Sequence, residues 1–495
     1  MNMFASLRRL LKHSLIYGLG YGLSRFVGFL LLPLYTNYLL PQDYGIAALL
    51  LTFLAISNVL FSYGLNTAFL RFYVLADDPE EKRSVFSTTY CSIFVSTLLF
   101  SFLILFSAGS VSRLIFRLEG YGDLVKLASG ILFFDTLALF PLLILRAKER
   151  STRFIVMNLV NTTSNLALNI FFIAHLGWGV EGIFISNLIS SSLLFLLLTP
   201  LIAANIKATF SKGVYRELLK FGLPYIPSTL AVILMDLVDR FLLDRLTDAA
   251  TVGLYSAGYK LGMFMALVVS GFRFAWHPFF LSTSKQEGVQ PIFARVLTYF
   301  LLVTGFLFLL ISFFIDDVVR LSVFGFTILG RSYWEGTRVV PPVLLSYIMY
   351  GVYVNFLVGV YLEKKTHYLP FITGAGAAVN IAGNLVLIPI LGMMGAAYST
   401  LIAYSLMAVL LYLFAKRIYP VRYEYLRILK VAVACAILFS LSRIGFSGSQ
   451  PSLLSIHTLY RLLLLIAYPF VLYILRFYET SEINKVKTIM SLKSL

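Results

Sequence analysis

Fourteen stretches of about 20 mostly apolar residues dominate this 495-residue chain, and that is the length a helix needs to cross a bilayer. They lie near 14–38, 44–70, 85–108, 125–146, 153–175, 179–203, 221–245, 252–275, 293–315, 339–361, 367–390, 393–415, 427–444 and 457–476. The runs are continuous and rich in Leu and Phe, without the alternation of a barrel strand, so each is expected to be a helix. Only 13% of residues are charged and 59% are hydrophobic, against about 25% charged in soluble domains. Twenty-three acidic and 40 basic side chains cannot cover a soluble body of this size. A soluble enzyme, a disordered chain and a disulfide scaffold are excluded, which leaves an all-α polytopic membrane protein.

The net charge of +17 does not indicate nucleic acid, because the basic residues sit between apolar spans and not along one amphipathic face. With the N-terminus in the cytoplasm, the inner segments lie around 71–83, 146–153, 204–220, 276–295, 362–366, 416–430 and the tail from about 476. Together with the N-terminus they hold 27 of the 40 Lys and Arg residues. This is the positive-inside pattern, and it predicts an even number of spans with both termini cytoplasmic. Arg8, Arg9 and Lys12 resemble the start of a signal peptide, but the apolar run that follows is too long and lacks a small-residue cleavage site, so a retained helix is expected. Cys91 and Cys435 each lie inside an apolar stretch and imply neither disulfide nor metal framework.

The chain also echoes itself. Tyr17-Gly18-Leu19-Gly20-Tyr21-Gly22-Leu23-Ser24 reads against Phe221-Gly222-Leu223-Pro224-Tyr225-Ile226-Pro227-Ser228. Tyr44-Gly45-Ile46 echoes Val252-Gly253-Leu254, and Asn165 and Asn169 followed by Gly177 match Asn380 and Asn384 followed by Gly392. Three matches in one order predict two copies of a six-helix unit, 1–205 and 206–418, followed by two added helices and a tail over 419–495. Because six is even, both copies enter the membrane from the same side, the arrangement of a two-lobed transporter with parallel repeats.

Ionisable groups at membrane depth cost about 2.5–3.5 kcal/mol each on insertion scales, which makes them functional candidates. Arg25 lies near the middle of the first span; it is expected either to face a water-filled cavity as an anion-binding cation or to form an ion pair with Asp135 or another acid. Asp236, Asp239 and Arg240 share one face of the seventh span at i, i+3 and i+4, a spacing that suits mutual neutralisation or a cavity lining coupled to protons or sodium. Lys260 and Arg273 are thirteen residues apart on the eighth span, about 20 Å of rise, and with Arg25 they could form a ladder of positive charge. Arg71 and Arg146 sit at inner helix ends. Asp77-Asp78-Pro79-Glu80-Glu81 reads as a solvated helix start, and Tyr17 and Tyr21 as candidates for stacking on sugars. No His, Cys and acid cluster has metal-ligand spacing and no catalytic constellation is visible, so no resident cofactor is expected and the chain is not read as an enzyme. The loops are short, the longest outer one near 316–338, and leave no extramembrane domain for soluble chemistry.

These residues resemble a known family. The Phe221-Gly222-Leu223-Pro224 entry, Asp239-Arg240, Gly253-Leu254-Tyr255-Ser256-Ala257-Gly258-Tyr259-Lys260, Gly64-Leu65-Asn66-Thr67-Ala68 with Arg71, and Asn380, Asn384, Ile388-Pro389, Gly392 and Gly395-Ala396-Ala397 are similar to those of Wzx-like polysaccharide transporters. These repeat-unit flippases belong to the multidrug/oligosaccharidyl-lipid/polysaccharide exporter superfamily, and the resemblance covers essentially the whole chain. It implies two six-helix lobes around a central cavity and transfer of a polyprenyl-diphosphate-linked oligosaccharide from the inner to the outer leaflet of the cell membrane. It also implies a role in O-antigen or exopolysaccharide assembly alongside a polymerase and glycosyltransferases. By the same resemblance, a cavity role is expected of Arg25, Asp239, Arg240 and Lys260, and of Arg71 and Arg273, with Asp135 and Asp236 as candidates for ion coupling. A drug or metabolite antiporter, a peptidoglycan-precursor flippase and a membrane glycan polymerase are the alternatives.

Overall fold

A computed structural model describes residues 27–117, 120–284, 288–323, 325–443 and 456–480, together with 482 and 484. Arg25, Tyr17, Tyr21 and the first member of the Gly18 repeat lie outside the described residues. The described part of the first span, α1, is helical over 27–38. There follow α2 (Pro41–Ser62), α3 (Leu65–Leu75), α4 (Pro79–Phe106), α5 (Ala108–Ile115), α6 (Gly122–Ala147), α7 (Ser151–Asn169), α8 (Gly179–Asn205), α9 (Lys212–Gly222) and α10 (Tyr225–Leu246). The remainder are α11 (Ala249–Gly262), α12 (Phe264–Thr283), α13 (Gln290–Val319), α14 (Val340–Leu362), α15 (Leu369–Leu391), α16 (Met393–Ile418), α17 (Tyr425–Arg443) and α18 (Ile456–Ile474). A two-residue antiparallel pair, Ser322–Val323 with Phe326–Thr327, sits between α13 and α14.

Among the described residues, twelve helices are long and apolar enough to cross a membrane, and α9 with α10 forms a thirteenth across a 41° bend. Many large apolar side chains remain exposed, as a lipid-facing surface requires. The expected solvated start of α4 is present: Pro79 occupies the first helical turn, where its missing N–H costs nothing, with Glu80 and Glu81 exposed beside it.

Two expected spans are interrupted. The span at 44–70 breaks into α2 and α3, because Tyr63 (φ 30°) and Gly64 (φ 76°) are left-handed. The break is held from outside: a Cβ on Gly64 would lie 2.1 Å from the Gly222 carbonyl oxygen, at the last residue of α9. The span at 221–245 breaks before α10, where Pro224 supplies no N–H to the preceding turn. At 153–175 the helix stays continuous but widens into a π-helical turn over Ile170–His175.

The chain divides into two compact units. Of the described residues, one comprises those up to Lys260 with Leu329–Gly336 and Thr373–Thr400; the other comprises those within Leu261–Ile328, Thr337–Ile372 and from Leu401 on. This division groups the chain by packing, whereas the boundaries at 205 and 418 group it by repeat.

In the first unit, α2, α4, α6, α7 and α8 pack on one another, and α3 lies against α9. Its core includes Leu65, Phe69, Phe86, Phe140 and Leu218. Phe69 meets Phe140 edge-on at 5.8 Å, a geometry that aromatic quadrupoles favour. The Asn repeat is three-dimensional as well as textual. Asn169 donates to Asn165 Oδ1 and Asn384 to Asn380 Oδ1, each at 3.1 Å, and each pair precedes a left-handed glycine, Gly177 or Gly392. The 329–336 segment is also fastened here, through Gly330 N–H donating to Thr36 Oγ1 and Tyr333 donating to the Leu39 carbonyl.

In the second unit, α13 packs against α17 and α18, and α12 against α14. Gly305 admits this approach, lying where a Cβ would meet Cys435 Sγ at 2.9 Å and Tyr468 Oη at 3.0 Å. The chain beyond α18 is clamped to the ends of α13 and α17. Arg427 binds Glu482 at 2.8 Å and Glu424 at 3.1 Å, and its guanidinium lies 4.5 Å over the Phe477 ring. Burial raises the pKa of the Glu482 carboxyl, but donors from Tyr299, the Glu479 N–H and Arg427 outweigh it and hold the group below the ordinary range.

Candidate functional site

Within the first unit lies a cavity of about 360 Å³, in the range of small-ligand pockets, about 300–1,000 Å³. Asn58 and Ser62 reach it from the last turns of α2, Gly64 from the break, and Asn66 and Thr67 from α3. Asp135 and Thr136 enter from the middle of α6, and Tyr225 and Thr229 from the first turns of α10. The broken helices explain the site. Where α2 stops and α3 resumes, polar residues of both helices come to one space, and an interrupted helix is tolerated in a membrane protein where it is buried in protein or lines such a space.

The lining is made of amides, hydroxyls and one carboxylate, interleaved with Ala55, Val59, Leu139, Ile226 and Ile233. Thr229 donates its hydroxyl to the Tyr225 carbonyl at 2.9 Å, which leaves its oxygen able to accept. Thr136 is 2% exposed, and its Oγ1 has no hydrogen-bond partner among the described residues. A buried hydroxyl normally finds one. The lining as a whole can exchange hydrogen bonds with a polyhydroxylated ligand.

The other expected site residues that are described lie on α3, α10, α11 and α12. Asp239 is fully buried and Arg240 is 7% exposed. Arg240 donates to Asp239 Oδ1 at 2.8 Å and to the Asp236 carbonyl at 2.7 Å, and lies 4.8 Å over the Tyr259 ring; Tyr255 donates to Asp239. The pair therefore joins α10 to α11 beside the Tyr255 and Tyr259 rings, and neither residue is among those that line the cavity. Asp236 is half-buried one turn earlier and Lys260 is half-buried near the end of α11. Arg71 is exposed on α3, stacked 4.3 Å over Phe221. Arg273 is exposed and donates to Tyr350 at 2.9 Å within the second unit. Lys260 and Arg273 thus belong to different units, whose boundary falls between Lys260 and Leu261 in the last turn of α11.

Of the expected site residues that are described, Asp135 alone lines the cavity. Asn58, Thr136 and Thr229 were not singled out from the sequence, since an uncharged polar residue in an apolar span looks like any other helix–helix contact. Asn66 and Thr67 entered only as part of a family motif.

A family model described as polysaccharide biosynthesis protein matches residues 10–284, more than half of the chain. The chain belongs to this family. No curated protein sequence matches it. Among solved structures it is similar to the lipid II flippase MurJ in an inward closed conformation, at 16% identity and a TM-score of 0.74, covering 93% of this chain and 99% of that one. An inward-facing multidrug resistance MATE transporter of the MOP superfamily follows at 14% identity and 0.65, covering 83% and 96%. A MATE protein in complex with MaL6 has 14% identity and 0.59, covering 86% and 97%. At these identities the likeness is one of fold. The chain is a multi-pass membrane protein of the polysaccharide biosynthesis family with the all-helical MurJ and MATE fold.

Proposed function

We propose that the protein moves a polyprenyl-diphosphate-linked oligosaccharide from the cytoplasmic to the outer leaflet of the cell membrane, by alternating access. The observation that carries this reading is the polar cavity among spanning helices, lined by Asn58, Asn66, Thr67, Asp135, Thr136 and Thr229, in a chain of a polysaccharide biosynthesis family. Each sugar hydroxyl costs about 4–8 kcal/mol to bring into hydrocarbon without a partner, so an unassisted head group does not cross. A cavity of amides and hydroxyls returns those hydrogen bonds while the polyprenyl tail stays in the bilayer. Arg25 on the first span is the proposed partner of the diphosphate, and a proton or sodium gradient the proposed drive. A polymerase and glycosyltransferases of the same pathway are the proposed partners.

The test is movement of a polyprenyl-diphosphate-linked glycan in proteoliposomes of the purified protein, read by exposure of the glycan to an impermeant oxidant. Protein-dependent exposure supports the reading; none from folded, reconstituted protein overturns it. A second reading, export of organic cations, draws on the Asp135 carboxylate in the cavity, and uptake of a labelled cation into the same vesicles would favour it.

A further inference from the structure

We infer that Asp135 is a specificity-determining residue, and that the cavity accepts glycans whose sugar beside it is neutral or amino-bearing and rejects those carrying a carboxylate there. The inference rests on the transport reading above and adds the substrate class. Asp135 and Thr136 are consecutive on α6, and both line the cavity together with polar residues of α2, α3 and α10. Ser191 on α8 lies beside the Asp135 carboxyl group.

The Thr136 hydroxyl is the second observation. A threonine inside a helix ordinarily donates back to the carbonyl four residues earlier, as Thr52 and Thr89 do here at 2.8 Å. Thr136 makes no such bond and is 98% buried in a cavity wall. Its oxygen is buried without a partner, one residue along α6 from Asp135, so a ligand that draws the Thr136 side chain into the cavity would satisfy it. A sugar hydroxyl, or an amino or acetamido N–H, can donate to Asp135, and a neighbouring polar group of the same sugar can exchange a bond with Thr136. An ionised carboxylate accepts and cannot donate. A sugar acid there would set two like charges together away from bulk water, where repulsion is least screened.

The experiment compares two polyprenyl-diphosphate-linked oligosaccharides differing at one sugar, an N-acetylhexosamine or the corresponding uronic acid, in proteoliposomes of the full chain. The natural sequence is expected to move the neutral glycan roughly tenfold faster or more, the discrimination a well-placed polar contact can supply. Asp135→Asn is expected to bring the two rates within about threefold by raising the acidic one, and Asp135→Glu to keep the difference. Thr136→Val is expected to slow the neutral glycan. Equal rates in the natural sequence, or an unchanged ratio in Asp135→Asn, overturn the inference while leaving transport intact. Equal loss of both glycans in Asp135→Asn also overturns it, and would mark the carboxylate as a coupling group. Movement of neither glycan by the folded natural protein overturns the transport reading itself.

Discussion

Gly45 on α2 and Gly253 on α11 meet in a reciprocal crossing: a Cβ on Gly45 would stand 1.8 Å from the Ala249 carbonyl oxygen, and one on Gly253 would stand 1.9 Å from that of Pro41. Each glycine opposes the residue four before its counterpart. The two segments of the sequence repeat are thus packed against one another as a pseudo-symmetric pair, backbone to backbone. Small residues allow this in a membrane, where close van der Waals contact replaces the hydrophobic drive.

Gly45→Ala and Gly253→Ala are each expected to force these helices apart and destabilise the protein by about 1–3 kcal/mol, the usual cost of overpacking. The measurement is the thermal unfolding midpoint in detergent. A pair of variants as stable as the natural protein would show that the crossing yields freely.

Arg240→Ala should be more damaging, because it leaves the Asp239 carboxylate buried without its cation. Removing one partner of a buried pair costs about 3–5 kcal/mol. A double variant with apolar residues at both positions is expected to recover most of that loss, which separates a structural pair from a substrate-binding one. Failure of the double variant to regain stability would argue for a further role of the charges.

The clamp beyond α18 should be acid-sensitive. Its donors hold the folded Glu482 carboxyl below the ordinary Glu value of about 4.3. A depressed folded pKa contributes stability that is present above the unfolded value and is lost as pH falls towards the folded one. Limited proteolysis of the tail is therefore expected to accelerate as pH drops below about 4.3, and Glu482→Gln should show high cleavage already at neutral pH. A tail equally protected in Glu482→Gln at pH 7 would remove Glu482 from the clamp.

Arg25→Ala is expected to abolish transport of the lipid-linked glycan while the protein still reaches the membrane, with Arg25→Lys retaining part of the activity. Export in living cells and the amount of membrane-inserted protein are measured together. Undiminished export by Arg25→Ala would end the role proposed for that cation.

The spans were legible because hydropathy is a local property: Val340–Leu362 or Met393–Ile418 announces itself within its own twenty-odd residues. The helix start at Pro79 and the Asn165/Asn169 and Asn380/Asn384 pairs were legible for the same reason, since their partners lie within one turn. The interruptions were less so. Gly64 could be read as a flexible point, but that α2 stops there depends on Gly222, 158 residues away in the chain. Arg240 shows the same limit: the spacing placed it on one face with two acids, and only the packing of α10 on α11 put Tyr255 and Tyr259 around it.

What the sequence determined by itself is a membrane chain of many apolar helices, together with an expectation of an internal repeat and of the side to which its basic loops incline. Helix period assigns each residue a face, and charge counting assigns each loop a side. Neither says which helix lies next to which, because in hydrocarbon nearly any apolar face can meet any other. The tertiary structure made that choice. It gathered Asn58, Asn66, Thr136 and Thr229 around Asp135 and closed Arg240 away from them, since a cavity is made by the backbones that fail to touch, and those belong to distant parts of the chain.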